Sequence, residues 1–99
     1  MTVIKDYVDR IEDELNDSKK FAEAYVQSKV ENDSYWMNRF REMAEDELKH
    51  SEYIHELVTK KIKSLSEILV PPQAMLDKWN TAHKDYVEKA AWIRQMLSM

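Results

Sequence analysis

Two glutamates and one histidine stand where apolar side chains are expected. Glu14 interrupts an apolar pattern in the first third of the chain, and Glu47 and His50 interrupt a second pattern. A buried carboxylate is costly unless it is paired or binds a cation. Glu47 and His50 are three residues apart, which places both side chains on one face of a helix. Carboxylate oxygens with one imidazole nitrogen suit iron, manganese or zinc. These three residues are therefore predicted metal ligands.

Helical periodicity extends over about residues 3–30. Apolar side chains recur there at spacings of three and four residues, which is typical of a helix that faces a core. The predicted core stripe consists of Ile4, Tyr7, Val8, Ile11, Leu15, Phe21, Ala22 and Tyr25, with Glu14 and Ser18 as polar members. The segment 31–34 then breaks the pattern, since Asn, Asp and Ser favour turns and helix N-caps. Asp33 or Ser34 is the predicted N-cap of a second helix.

Two further helices are predicted, at about 35–69 and about 73–97. The core stripe of the second is predicted as Trp36, Phe40, Met43, Glu47, His50, Ile54, Val58, Ile62, Leu65 and Leu69. Pro71 and Pro72 end this helix, because proline cannot continue it. The predicted stripe of the third helix is Leu76, Trp79, His83, Tyr86, Ala90, Ile93 and Leu97. The expected fold is one all-α domain over residues 1–99, a long antiparallel helical hairpin plus a third helix.

The three predicted ligands are expected at similar heights along the hairpin. The first turn lies near Asn32, and both helices rise about 1.5 Å per residue, so residues of equal height have numbers that sum to about 64. Glu14 is then level with His50 and about one turn from Glu47. The polar interruptions of the two stripes are therefore predicted to meet.

Composition excludes several classes of function. The 99 residues include no cysteine and no glycine, and the formal net charge is −4. Disulfides and thiolate sites are thereby excluded, as are glycine-rich phosphate loops. A modest acidic balance disfavours nucleic acid as a partner. Apolar runs fall short of the roughly 20 residues of a membrane span, and the N-terminus lacks a secretory signal pattern, so a cytoplasmic protein without membrane contact is expected.

The segment 43–50, which ends in Glu47-Leu48-Lys49-His50, resembles the second helix of the ferritin-like superfamily, especially of rubrerythrin-type domains and encapsulated ferritins. Those families place a Glu on the first helix and Glu-x-x-His on the second. Glu14 and Phe21 fall where that pattern has its ligand and an aromatic residue, and the resemblance covers about residues 1–60. It implies a ferritin-like bundle and a di-iron carboxylate site that oxidises Fe(II) with O₂ or peroxide. Glu47 would bridge, Glu14 would be terminal or bridging, and His50 would ligate.

The third helix departs from the ferritin-like pattern. A full bundle has a second Glu and a second Glu-x-x-His on two further helices, and Asp85-Tyr86-Val87-Glu88 is the nearest string here. Two hairpins related by a two-fold axis would supply four glutamates and two histidines, and two-fold dimers are the commonest closed assembly. Encapsulated ferritins resemble this solution, since they build their iron site across a subunit interface. The expected state is a homodimer or a higher even-numbered oligomer, with two iron, manganese or zinc ions per dimer.

Four more residues are candidates for the surroundings of the site. Ser18 is small and one turn from Glu14, which leaves room for an open coordination position. Asp17 and Asp46 flank the site and can orient His50 as outer partners, although plain surface charge is the simpler interpretation of both. Tyr53 lies one turn after His50 and is close enough for electron transfer.

The other two histidines are predicted to lie outside the site. His83 is expected level with Thr59, roughly 13 Å from His50 along the helix axis, as a partly exposed or hydrogen-bonded histidine. His55 points about 140° away from His50 on the helical wheel and is predicted at the surface.

Two classes of function remain open from the sequence. The first is a metal-dependent protein with possible Fe(II) oxidation at Glu14, Glu47 and His50. The second is a non-enzymatic helical assembly or adaptor protein, in which the polar cluster is a structural network or a structural metal site. In that second class the Trp-rich third helix would be the partner surface.

Overall fold

Three α-helices make up nearly all of the chain. In the computed structural model, which describes the backbone of residues 2–99 and the side chains of residues 4–99, α1 spans Thr2–Val30, α2 spans Ser34–Ile68 and α3 spans Gln73–Ser98. The predicted helices are thereby confirmed to within one residue at each end. The molecule is elongated, with extents of 55 × 18 × 17 Å. Over the described residues, none of the helices has a stretch apolar enough and long enough to cross a membrane.

A glycine-free turn joins α1 to α2. Asn32 has a φ of 59°, in the left-handed region that Asn tolerates better than most residues. The amide of Asn32 donates to the Lys29 carbonyl and the amide of Asp33 donates to the Ser28 carbonyl, at 3.1 and 2.9 Å. These two bonds form a Schellman motif. Asp33 then caps α2, because its carboxylate accepts from the amide of Trp36 at 3.2 Å.

Replacing Asp33 with alanine is expected to lower the free energy of unfolding by about 1 kcal/mol, since the amide that it caps loses its partner. Thermal or urea unfolding followed by circular dichroism measures the loss. Asp85→Ala, at an exposed position within α3, is the matched control and should change stability by less than about 0.5 kcal/mol. Equal losses in the two variants would contradict the capping role.

The prolines separate α2 from α3. Leu69 leaves the helix in an extended conformation, with φ −148° and ψ 164°. Pro71 is buried, and Pro72 is the N-cap of α3, where its carbonyl accepts from the amides of Met75 and Leu76. The predicted stop is confirmed, and this extended connection lets α3 turn back along the hairpin.

The core lies between the helical hairpin and α3. The third helix packs mainly on α1. The members of the core come from all three helices: Ile4, Val8, Ile11, Leu15, Ala22, Tyr25, Ala44, Leu48, Val58, Ile62, Trp79, Ala90, Ile93, Met96 and Leu97. The apolar end of α3 is thus buried within the chain. Ion pairs between Glu12 and Lys89 and between Glu52 and Arg94 flank this core.

Small residues line the crossing of α1 and α2. Ser18, Ala22, Ala44 and Ser51 are all fully buried. The Ser18 hydroxyl donates to the Ala44 carbonyl across the two helices at 2.6 Å. Side chains of this size let two helix backbones approach closely, and the interhelical hydrogen bond holds their relative height.

The predicted core stripe of α2 is wrong over its first half. Ala44, Leu48 and Ser51 are the buried residues there, whereas Trp36 and Met43 are exposed. The reason is that α1 bonds to Ala44 and α3 bonds to Arg41, so the contacted side of α2 is rotated away from the predicted stripe. The prediction is correct at Val58 and Ile62, which are buried, and wrong at Leu69, which is 50% exposed where the chain leaves the helix.

Candidate metal centre

The hairpin brings the three predicted ligands together on one face. The Nδ1 atom of His50 lies 3.7 Å from Oε2 of Glu14 and 3.8 Å from Oε2 of Glu47. One ligand atom from each of these residues, which we call the triad, lies within 4.8 Å of the other two. The predicted meeting of Glu14 with Glu47 and His50 at one height along the hairpin is therefore confirmed.

The triad lies at the boundary between core and solvent. The side chains of Glu14 and Glu47 are 18% and 25% exposed, while that of His50 is 54% exposed. Two ligands bound about 2.1 Å from one ion lie roughly 3 to 3.5 Å apart, slightly closer than the separations here. Small side-chain rotations would therefore bring the three donors onto one cation, with the solvent side left open for further ligands.

The two carboxyl groups lie close enough to change the acidity of Glu47. The pKa of Glu47 is raised from 4.5 to about 7, chiefly by a hydrogen bond with Glu14, then by burial and by the negative charge of Glu14. The charge of Asp17 raises this pKa further, and His50 opposes the shift. Two carboxylates this close resist simultaneous ionisation. A cation bound between them would offset this repulsion between the two negative charges.

Without metal, the stability of the chain should fall between pH 5 and pH 8. The pKa of Glu47 is higher in the folded chain, so its stabilising contribution is fully present below about pH 4.5 and is lost as the pH rises through about 7. We expect a loss of roughly 1–2 kcal/mol, because solvent screens part of the repulsion. Thermal melts in chelator at four pH values measure it. Glu47→Gln should flatten the profile in this window, and an equal slope in that variant would contradict the assignment.

The triad lies on the side of the hairpin opposite to α3. Two ion pairs mark the side of the hairpin that α3 covers, since Glu12 pairs with Lys89 and Glu52 pairs with Arg94. Glu12 is about 160° from Glu14 around α1, and Glu52 is about 140° from Glu47 around α2. We call the uncovered side the open face. Besides the triad it carries Tyr7, Phe21, Trp36, Phe40, Met43, Ile54 and Leu57.

The open face is apolar around its polar centre. Tyr7 is 39% exposed and Leu57 is 57% exposed on one side of the triad, while Trp36 is 49% exposed on the other. Exposed apolar patches of this kind mark interaction surfaces more often than isolated surface residues do.

The predicted surroundings of the triad are placed as follows. Ser18 is fully buried and its hydroxyl is bonded to the Ala44 carbonyl, so it positions the helices. Asp46 is exposed, and Tyr53 is 63% exposed. A role for any of these three residues in chemistry stays a prediction. Asp17, the other predicted flanking residue, adds negative charge at Glu47, and its predicted contact with His50 stays a prediction.

The other two histidines meet each other. His83 is exposed and bonded to His55, and it lies away from the triad as predicted. The prediction that His55 lies at the surface is wrong, because its ring is half-buried and stacks on Tyr86 of α3. The helical wheel gave its direction correctly, but α3 packs on that side.

Comparison with known proteins returned no matching family model, no matching curated protein and no matching solved structure. A function for this chain is therefore inferred from its residues and their geometry.

Proposed function

We propose that this chain is a metal-binding helical-hairpin protein whose triad supplies half of a dinuclear carboxylate centre, completed by a second copy of the chain. The observation that carries the proposal is the convergence of Glu14, Glu47 and His50 within 4.8 Å, on two helices held in register by the Ser18–Ala44 hydrogen bond. Iron is the favoured ion, with manganese or zinc as alternatives.

The donor set fits such a cation. Glu14 and Glu47 offer four oxygen atoms, and an entering cation would displace any proton that the raised pKa keeps on Glu47. His50 presents Nδ1 to both carboxyl groups, while its remaining ring edge is exposed to solvent. The carboxyl group of Glu47 faces Glu14 and lies 3.8 Å from Nδ1 of His50, and we assign Glu47 as the bridge between two ions.

A second copy would complete the donor set. Three donors are few for two ions, and a two-fold axis through the open face would bring four glutamates and two histidines together. The exposed apolar residues around the triad would be covered in the same step. The resulting assembly is a four-helix core from α1 and α2 of each chain, with α3 of each chain on the outside.

The reaction that we propose is oxidation of Fe(II). A bound pair of iron ions would supply two electrons to O₂ or peroxide. The residues of the chain would hold both ions and leave the exposed His50 side accessible to the oxidant. Tyr53, exposed one turn after His50, is a candidate to pass an electron outward.

The adaptor alternative has weaker support. It would use α3 as a partner surface, but Ile93, Met96 and Leu97 at the apolar end of α3 are buried within the chain. Only Val87 and Trp92 are large apolar residues of α3 that are exposed in the described structure.

Elemental analysis, sedimentation and aerobic Fe(II) oxidation test the proposal together. The expected result is one ion per chain, a dimer or larger even-numbered oligomer, and oxidation faster than in buffer. Bound metal without turnover would reduce the function to metal binding. A monomer both with and without metal would overturn the shared centre.

A further inference from the structure

A pair of imidazoles joins α2 to α3, on the side of the hairpin away from the open face. Nε2 of His55 and Nδ1 of His83 face each other at 2.7 Å. The ring of His55 stacks on Tyr86 with centroids 4.3 Å apart, and Trp79 lies beside His55 and His83 at 5.1 and 6.1 Å. The aromatic rings thus hold two imidazoles from different helices with one nitrogen of each converging on the same point.

We propose that His55 and His83 form a separate two-histidine site for a nitrogen-preferring divalent ion such as Cu²⁺, Ni²⁺ or Zn²⁺, which clasps α3 to α2. Two nitrogens bound to one ion at about 2.0–2.1 Å lie roughly 3 to 3.4 Å apart. The observed pair needs to open by less than about 1 Å to reach this separation. His83 is exposed, so water can complete the coordination of the ion.

The protonation state of His55 favours metal binding near neutral pH. Burial lowers the pKa of His55, and the neighbouring His83 lowers it further. Metal ligation requires the neutral imidazole, so His55 has no charge-bearing proton to lose at pH 7. The proton in the His55–His83 hydrogen bond moves to the outer nitrogen of the same ring, which frees both facing nitrogens as donors.

Donor chemistry separates this site from the triad. Glu52 precedes His55 by three residues, the same spacing as Glu47 and His50, but the carboxylate of Glu52 is held by Arg94. The pair therefore offers nitrogen alone, whereas the triad offers mostly oxygen. Imidazole donors favour copper, nickel and zinc over manganese.

The surroundings of the pair are mixed in charge. A cavity of about 420 Å³ between α1 and α3 borders His55 and gives solvent and ions access to this end of the α2–α3 contact. The charged residues that line it are Glu12, Asp77, Lys78, Asp85 and Lys89. The three carboxylates outnumber the two lysines, so the lining of the cavity does not repel an entering cation.

The test removes the triad and counts imidazoles. The chain has three histidines, so a Glu47→Gln/His50→Ala variant keeps only His55 and His83. Cu²⁺ is added to this variant, its affinity is measured by calorimetry, and pulsed paramagnetic resonance counts the coordinated imidazoles. We expect one ion per chain, two imidazoles, and a higher melting temperature with copper.

His83→Ala in the same background should weaken Cu²⁺ binding at least roughly tenfold and remove the rise in melting temperature. Lys84→Ala, at an exposed neighbouring position on α3, is the control and should change neither. One coordinated imidazole or none, or equal copper affinity with and without His83, would overturn the proposal. The imidazole count needs no change to either residue, so it decides the question even if His83→Ala unfolds.

Discussion

Replacing Glu47 with glutamine should abolish the stabilisation of this chain by Fe(II) or Mn²⁺. An ion present at about 100 times its dissociation constant stabilises a folded protein by about 2.7 kcal/mol. In a domain of this size that gain corresponds to a rise in melting temperature of roughly 10–20 °C. Glutamine keeps the shape of the side chain but cannot carry the negative charge that balances the ion, so the rise should fall close to zero.

The same substitution should stabilise the metal-free chain at pH 8, where Glu47 is ionised beside Glu14. This opposite change distinguishes loss of a ligand from general damage to the fold. Glu42→Gln, on the exposed surface of α2 where Glu42 pairs with Arg39, is the control and should retain the full metal response. Differential scanning fluorimetry under anaerobic conditions for Fe(II) measures all three proteins. A full metal response in Glu47→Gln would exclude the triad as the metal site.

Replacing Leu57 with glutamate should separate the proposed dimer. Leu57 is 57% exposed in the single chain and belongs to the apolar part of the open face, which the second copy would cover. An unpaired carboxylate in such an interface costs several kcal/mol, and each 1.4 kcal/mol is a factor of ten. The dimer dissociation constant should therefore rise at least about 100-fold.

Sedimentation velocity over a range of protein concentrations measures this constant. Val87→Glu is the matched control, because Val87 is 51% exposed on α3 and would lie outside the four-helix core. Dissociation by the Val87 variant alone would place the interface on α3 and contradict the proposed arrangement. An unchanged dimer in both variants would contradict the open face as the interface.

The helix boundaries could be predicted from the sequence because strong local signals stand at both turns. Asn32 and Asp33 supply a left-handed residue and an N-cap, and Pro71 and Pro72 cannot continue a helix. The short first turn also made the height arithmetic reliable, so the meeting of Glu14 with the α2 pair followed from residue numbers alone.

The buried side of α2 could not be predicted in the same way. Its most buried positions include Ala44 and Ser51, which contribute little to a hydrophobic pattern and are selected by the close approach of α1. The larger apolar residues Trp36 and Met43 dominate that pattern but lie on the open face. Periodicity identifies an apolar face without saying whether the same chain or another molecule covers it.

The height of α3 along the hairpin could not be predicted from the sequence. His83 was expected level with Thr59 but bonds to His55, about one turn away. The extended conformation at Leu69 changes the height at which α3 begins, and a count of residues across the two prolines does not include that change. The pairing of the two imidazoles could be recognised only once the helices were in place.

The hydroxyl-to-carbonyl bond between Ser18 and Ala44 also bears on the speed of ion exchange. It ties the two backbones together within one turn of Glu14, so local separation of the helices there would amount to nearly complete unfolding. Loading and release would instead depend on rotation of exposed side chains, above all His50, on a picosecond to nanosecond scale. The rate of ion binding would then depend on how fast the incoming ion loses its bound water, and not on a rearrangement of the backbone.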